Sequence, residues 1–110
     1  MNSPQIPISW GELLDKITIL QIKLENLTSQ DALNNVEREL KQLQAIFFQS
    51  CPETIQPKEL ELELKKINQK LWDIEDKIRD KEKHSSFDDE FIQLARSVYI
   101  TNDERSRSKR

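Results

Sequence analysis

The stretch L-W-D-I-E-D-K-I-R-D-K-E, residues 71–82, sets Leu71, Ile74 and Ile78 at three- and four-residue steps and fills the gaps with charge. The same rhythm runs back through Ile67, Leu64 and Leu60. Apolar residues at this spacing share one face of an α-helix, so the pattern predicts a long amphipathic helix from about Pro57 to about Lys83. Pro57 suits its first turn, and ~25 residues at 1.5 Å per residue give roughly 38 Å. Around that helix the charges separate into two faces. Asp73, Asp76 and Asp80 point away from the apolar stripe, whereas Asn68, Trp72, Glu75, Arg79 and Glu82 form a second stripe along its edge.

Working outward, S-W-G-E at residues 9–12 has the form of a capping box and starts a helix. Trp10, Leu13, Ile17, Leu20, Leu24 and Leu27 then follow on one face, which carries it to about Thr28. Its opposite face mixes Glu12 and Asp15 with Ile19 and Ile22, and large apolar residues on a back face call for a second covering surface. Leu33, Val36, Leu40, Leu43 and Phe47 predict a second helix, after which Cys51, Pro52 and Pro57 mark the longest irregular connection. Past the long helix, H-S-S-F-D-D-E breaks the pattern. Ser86 is placed to cap a fourth helix with Phe87, Phe91, Leu94 and Val98 on its buried face. T-N-D-E at 101–104 repeats the cap pattern, predicting a short fifth helix or a frayed continuation. The expectation is an all-α single domain over 1–110, a small up-and-down helical bundle of four main helices, with an irregular lead at 1–8 and a basic, frayed tail at 103–110.

Composition narrows the class. With 34% charged and 35% hydrophobic residues and one glycine, the chain lacks the turn glycines of a sheet protein. A net charge of −3 argues against coating nucleic acid. Arg105, Arg107, Lys109 and Arg110 oppose only Asp103 and Glu104 in the last ten residues, which reads as a solvated terminus. Cys51 has no second cysteine to pair with, and neither a leader nor a membrane-length apolar run is present, so a cytoplasmic protein without membrane contact is expected. His84, the only histidine, reads as a turn residue.

The leading expectation is a non-enzymatic helical interaction or oligomerisation module, with coiled-coil-like spacing in the long helix. A homodimer follows from the two apolar faces of the first helix and from the thin core of so short a chain; a different protein partner would use the same faces. No cofactor is required. The competing class is a metal-dependent phosphate-ester enzyme, in which Glu12, Asp15, Glu75 and Glu82 hold Mg2+ and Arg79 and Arg96 hold phosphate. This arrangement would resemble the all-helical nucleoside-triphosphate pyrophosphohydrolases, although the acidic partner expected on the next helix is missing. A third reading is an anion- or sugar-nucleotide-binding accessory protein that uses Arg79, Arg96, Tyr99, Trp72 and Asn102. No Gly-rich phosphate loop or Cys/His zinc spacing is present.

Three runs carry a closer likeness: G-E-L-L-D-K-I-T-I-L at 11–20, L-W-D-I-E-D-K-I-R at 71–79 and L-A-R-S-V-Y-I-T-N-D at 94–103. Together they resemble an uncharacterised bacterial family of short all-helical proteins, a domain of unknown function. The resemblance implies a bacterial cytoplasmic domain and brings no activity, cofactor or catalytic residue with it.

Overall fold

The computed structural model describes residues 9–50 and 58–109, which form four helices: α1 (Trp10–Asn26), α2 (Gln30–Ser50), α3 (Lys58–Lys83) and α4 (Asp89–Ser108). The chain is all-α, with no strand among the described residues. The lead at 1–8, the connection carrying Cys51, Pro52 and Pro57, and Arg110 lie outside the described residues.

α1 starts where its sequence requires. The Ser9 hydroxyl accepts from the Glu12 amide at 3.2 Å, satisfying one of the first-turn N–H groups that have no helical partner. The reciprocal half of a capping box is replaced, because the Glu12 carboxylate lies 3.3 Å from Lys109 Nζ. The helix stops at Asn26, two residues short of the expected Thr28. Leu27 turns extended while its amide still bonds the Lys23 carbonyl at 2.8 Å. Ser29 then caps α2 after a connection of only three residues.

α1 packs against both α2 and α3, and α4 packs against α3. The core joins Leu13, Leu14, Ile17 and Leu20 of α1 to Val36, Leu40 and Phe47 of α2 and to Leu64 of α3. Trp10 closes one end edge-on against Phe47, ring centroids 5.9 Å apart. Leu24, read as part of the buried stripe, is instead exposed, in the last turn of α1.

The turn between α3 and α4 differs from its sequence reading. The Ser86 amide bonds the Lys81 carbonyl at 2.8 Å and the Ser85 amide bonds that of Glu82 at 3.0 Å, the two bonds of a Schellman motif. Ser85 takes the left-handed conformation the motif needs, at φ 52°. Ser86 is therefore used in ending α3, and Asp88 caps α4 by accepting from the Phe91 amide at 3.0 Å. Phe87, expected in the core, is exposed and stacks edge-on against Phe91. α3 and α4 then run antiparallel: Lys81 meets Asp88 and Glu90, Lys70 meets Glu104, and Glu63 meets Ser108. T-N-D-E lies inside α4, which continues unbroken to Ser108 in place of a separate fifth helix.

Gly11 makes a further contact possible, between α1 and the end of α4. A Cβ there would sit 2.9 Å from Lys109 Cα and closer still to its carbonyl oxygen, both backbone atoms that cannot swing aside. Gly11→Ala is therefore expected to lose about 1–3 kcal/mol in urea unfolding despite the better helix propensity of alanine. A neutral or stabilising result would show that the two helix ends do not touch in solution.

Lys81 Nζ lies 2.9 Å from Asp88 Oδ2, and that hydrogen bond, with the Phe91 amide behind it, holds the Asp88 carboxyl below its usual 3.8. The same bond, aided by Glu90, holds the Lys81 ammonium above its usual 10.5. A lowered carboxyl stabilises above 3.8 and stops doing so as pH falls through its folded value. A raised ammonium stabilises below 10.5 and stops doing so as pH rises through its folded value. Their contribution is thus whole between those limits. An NMR titration should place the Asp88 midpoint below 3.8, and Lys81→Met should move it upward. An unmoved midpoint in the variant would assign the shift to the cap bond alone.

Candidate functional site

Four polar residues are buried among the described residues: Asp15, Thr18, Asn68 and Thr101, at 5%, 0%, 4% and 1% exposure. They come from three helices and occupy one region. On α1, Gly11, Asp15, Thr18 and Ile22 repeat at steps of four, three and four, forming a second buried stripe opposite the apolar one. α3 presents Asn68 to it. α4 continues its inward stripe of Leu94 and Val98 through Thr101, Arg105 and Ser108, changing from apolar to polar halfway along. The covering surface that Ile19 and Ile22 call for is thus supplied by the chain itself, and Ile22 is only 1% exposed.

Asn68 is the hub. Its Nδ2 donates to Asp15 Oδ1 at 2.8 Å and to Thr18 Oγ1 at 3.0 Å, while its Oδ1 faces Arg105 Nη1 at 3.4 Å. Thr18 passes its own proton to the Asp15 carbonyl at 2.9 Å. The second Asp15 oxygen lies 3.6 Å from Lys109 Nζ, so the buried carboxylate is neutralised by a lysine that it shares with Glu12. Among the described residues two buried side-chain polar atoms have no partner, Thr101 Oγ1 and Arg105 Nε.

Asn68 and Arg105 of this network line a cleft of about 370 Å3 between α1, α3 and α4, together with Lys23, Trp72, Glu75 and Asn102, over an apolar base of Ile19, Ile22 and Leu71. Of the residues singled out by sequence for a ligand, Trp72 and Asn102 lie here. Glu75, singled out for metal, lies here too. The others do not converge on it. Arg79 turns to Asp76 at 3.4 Å on the exposed side of α3, away from Glu75 and Glu82. Arg96 and Tyr99 stand on the outer face of α4 beside Phe91, Ile92, Ala95 and Ile100. Glu12 and Asp15 share Lys109, and Glu82 is exposed near the end of α3. Among the described residues, no three His, Cys, Asp or Glu side chains come close enough together to hold a metal ion.

Sequence reasoning passed over Thr18, Thr101, Arg105 and Lys109. The last two were read as a solvated tail, yet Arg105 reaches Asn68 and Lys109 reaches Asp15. Their signal was positional: Leu94, Val98, Thr101, Arg105 and Ser108 keep four- and three-residue steps after the apolar residues stop.

α4 also has an opposite face. Ile92, Tyr99 and Ile100 on it are 51%, 73% and 56% exposed, with Arg96 and Asp103 exposed between and beside them. No helix among the described residues is long and apolar enough to cross a membrane.

Fold and site together define a small all-α protein in which a buried polar cluster, rather than apolar packing alone, joins the outer helix to the core. The chain belongs to the family described as "Family of unknown function (DUF6165)", whose model matches residues 4–110. No curated protein and no solved structure gives a significant match.

Asn68→Leu removes the donor shared by Asp15 and Thr18 and should cost about 3 kcal/mol. Adding Asp15→Leu should recover part of that loss, because it removes the stranded carboxylate. Strict additivity of the two substitutions in urea melts would show that the residues do not interact.

Proposed function

We propose that this protein is a non-enzymatic helical interaction module that pairs with a second copy of itself across the outer face of α4. The observation that carries this reading is the stripe Ile92, Arg96, Tyr99 and Asp103, at steps of four, three and four, exposed along a helix whose inward side is already occupied. An ordinary solvated face would carry charge at these positions, whereas Ile92, Tyr99 and Ile100 leave a continuous apolar strip.

The charges on the stripe favour a second copy over an unrelated helix. Arg96 and Asp103 stand seven residues apart, about 10.5 Å along one helix and too far to pair with each other. Neither enters an ion pair among the described residues. A two-fold axis near Tyr99 sets α4 antiparallel to its copy and brings each Arg96 opposite the other copy's Asp103, with Tyr99 and Ile100 between them. The small apolar strip implies a weak, concentration-dependent dimer. The coiled-coil spacing of α3 serves the fold within one chain, whereas α4 keeps exposed apolar side chains at Ile92, Tyr99 and Ile100 with unpaired charges beside them.

Sedimentation equilibrium provides the test. The unmodified chain should approach a dimer at high micromolar concentration, Arg96→Glu should weaken association roughly tenfold, and Arg96→Glu with Asp103→Arg should restore it. A monomer at every concentration, or a double variant no better than the single one, would overturn the proposal.

A further inference from the structure

Independently of α4 pairing, we propose that the cleft between α1, α3 and α4 is a binding site for a small organic anion, a molecule with one oxyanion head and a flat apolar body. The head would be met by Arg105 and Lys23. Arg105 lines the cleft with its Nε buried and unpartnered, and its Nη1 makes only a long 3.4 Å contact to a neutral amide. The nearest buried carboxylate, Asp15, is already committed to Asn68 and Lys109. A half-buried guanidinium whose Nε is closed off from water normally has a carboxylate in its fork, because leaving a buried donor unpaired is costly. Among the described residues neither Arg105 nor Lys23 enters an ion pair, so the two cationic groups that line the cleft outnumber its one carboxylate, Glu75, and are not paired with it.

A second observation points the same way. Thr101, one helical turn before Arg105 on the inward stripe, is 1% exposed and its hydroxyl also lacks a partner. The side chains beneath the guanidinium are nevertheless closely matched, with Asn68 and Thr18 using their donors at 2.8–3.0 Å. Among the described residues, unmet polar capacity is therefore confined to α4, at Thr101 and at Arg105 of the cleft lining, and is not a general looseness of the core.

The remaining walls define the body of the ligand. Trp72 offers an indole face, and Ile19, Ile22 and Leu71 form an apolar base, which together suit a planar ring. Asn102 adds one amide at the rim. Glu75 on α3 adds a negative charge to the lining, which disfavours a second anionic group on the ligand. A volume of about 370 Å3 takes a single-ring molecule and leaves little room for a nucleotide. Carboxylate and phosphate heads satisfy the same cations, and the test separates them.

The test uses the full chain with benzoate, phenyl phosphate, inorganic phosphate and benzylamine, read by thermal shift and by the indole N–H resonance of Trp72 in heteronuclear NMR. At least one of the two ring-bearing anions should raise the melting temperature and move the Trp72 signal; whichever does so more strongly names the head group. Benzylamine should do neither, and inorganic phosphate should bind at least roughly tenfold more weakly than the better ring-bearing anion. Arg105→Gln should reduce affinity roughly tenfold or more. Because Arg105 also touches Asn68, Lys23→Gln serves as the second variant, with the same direction expected and the fold retained. The proposal is overturned if neither ring-bearing anion binds at millimolar concentration, if benzylamine binds as well as benzoate, or if inorganic phosphate matches the ring-bearing anions. Retention of full affinity by a folded Lys23→Gln or Arg105→Gln protein would overturn it equally.

Discussion

The amide of Asn68 is the point on which the arrangement of α1, α3 and α4 depends. Its two Nδ2 bonds fix α3 against the Asp15–Thr18 stretch of α1, and its oxygen is the group that Arg105 of α4 approaches. Apolar contacts alone would tolerate sliding of one helix along another by small amounts, because dispersion and burial are nearly indifferent to direction. Hydrogen bonds at 2.8 and 3.0 Å from one nitrogen are not. Since Asp15 and Thr18 are themselves buried, a shift that broke either bond would strand a polar group, and that penalty fixes the register.

The two halves of the molecule are consequently held by different physics. α1 and α2, together with the first part of α3, share an apolar core that includes Leu14 and Leu64, both fully buried. α4 contributes only Thr101 to the fully buried set and is held chiefly by polar links: Lys81 to Asp88 and Glu90, Lys70 to Glu104, Arg105 to Asn68, and Lys109 to Asp15. Exposed ion pairs of this kind contribute little singly. The pair at Asp15 differs because its carboxylate is 8% exposed, and Gly11 lets the backbone of α4 approach closely enough to make it. The lone glycine of the chain therefore acts through volume rather than through backbone freedom.

Much of this was legible in sequence, and the reason is periodicity. The stripes of α2 and α3 appear as read, from Val36 to Phe47 and from Leu64 to Ile74, because burying apolar side chains at helical steps is what their spacing encodes. In the 71–82 stretch Asp73, Asp76 and Asp80 are exposed as read, but Glu75, Arg79 and Glu82, read at the edge of the core, are exposed as well, and Arg79 turns to Asp76. What sequence did not reveal is where polar residues turn inward. Asp15 was weighed as a metal ligand and Arg105 as part of a solvated tail, since nothing local distinguishes a buried carboxylate from an exposed one. That distinction is made by Asn68, more than fifty residues away from Asp15 in the chain. The error at Phe87 has a more local cause: the left-handed Ser85 rotates the entry to α4, so Asp88 caps it and Phe87 falls outside the contact.

The same reasoning explains why the residues suspected from sequence split between two surfaces. Trp72, Glu75 and Asn102 stand beside the polar cluster because they lie one or two turns from Asn68 or Arg105 on stripes that line the cleft. Arg96 and Tyr99 belong to the opposite side of α4, since positions 92, 96, 99 and 103 keep their own helical spacing. A helix that presents two such stripes cannot bury both against one neighbour. In this chain the inward stripe meets its neighbours first through Leu94 and Val98 and then through polar groups, and the outer side carries the exposed Ile92, Tyr99 and Ile100. A helix whose inward stripe turns polar past Val98 while Ile92, Tyr99 and Ile100 stand outside departs from what burial alone would select. That departure is the physical ground for looking to α4, on both of its faces, for what the protein does.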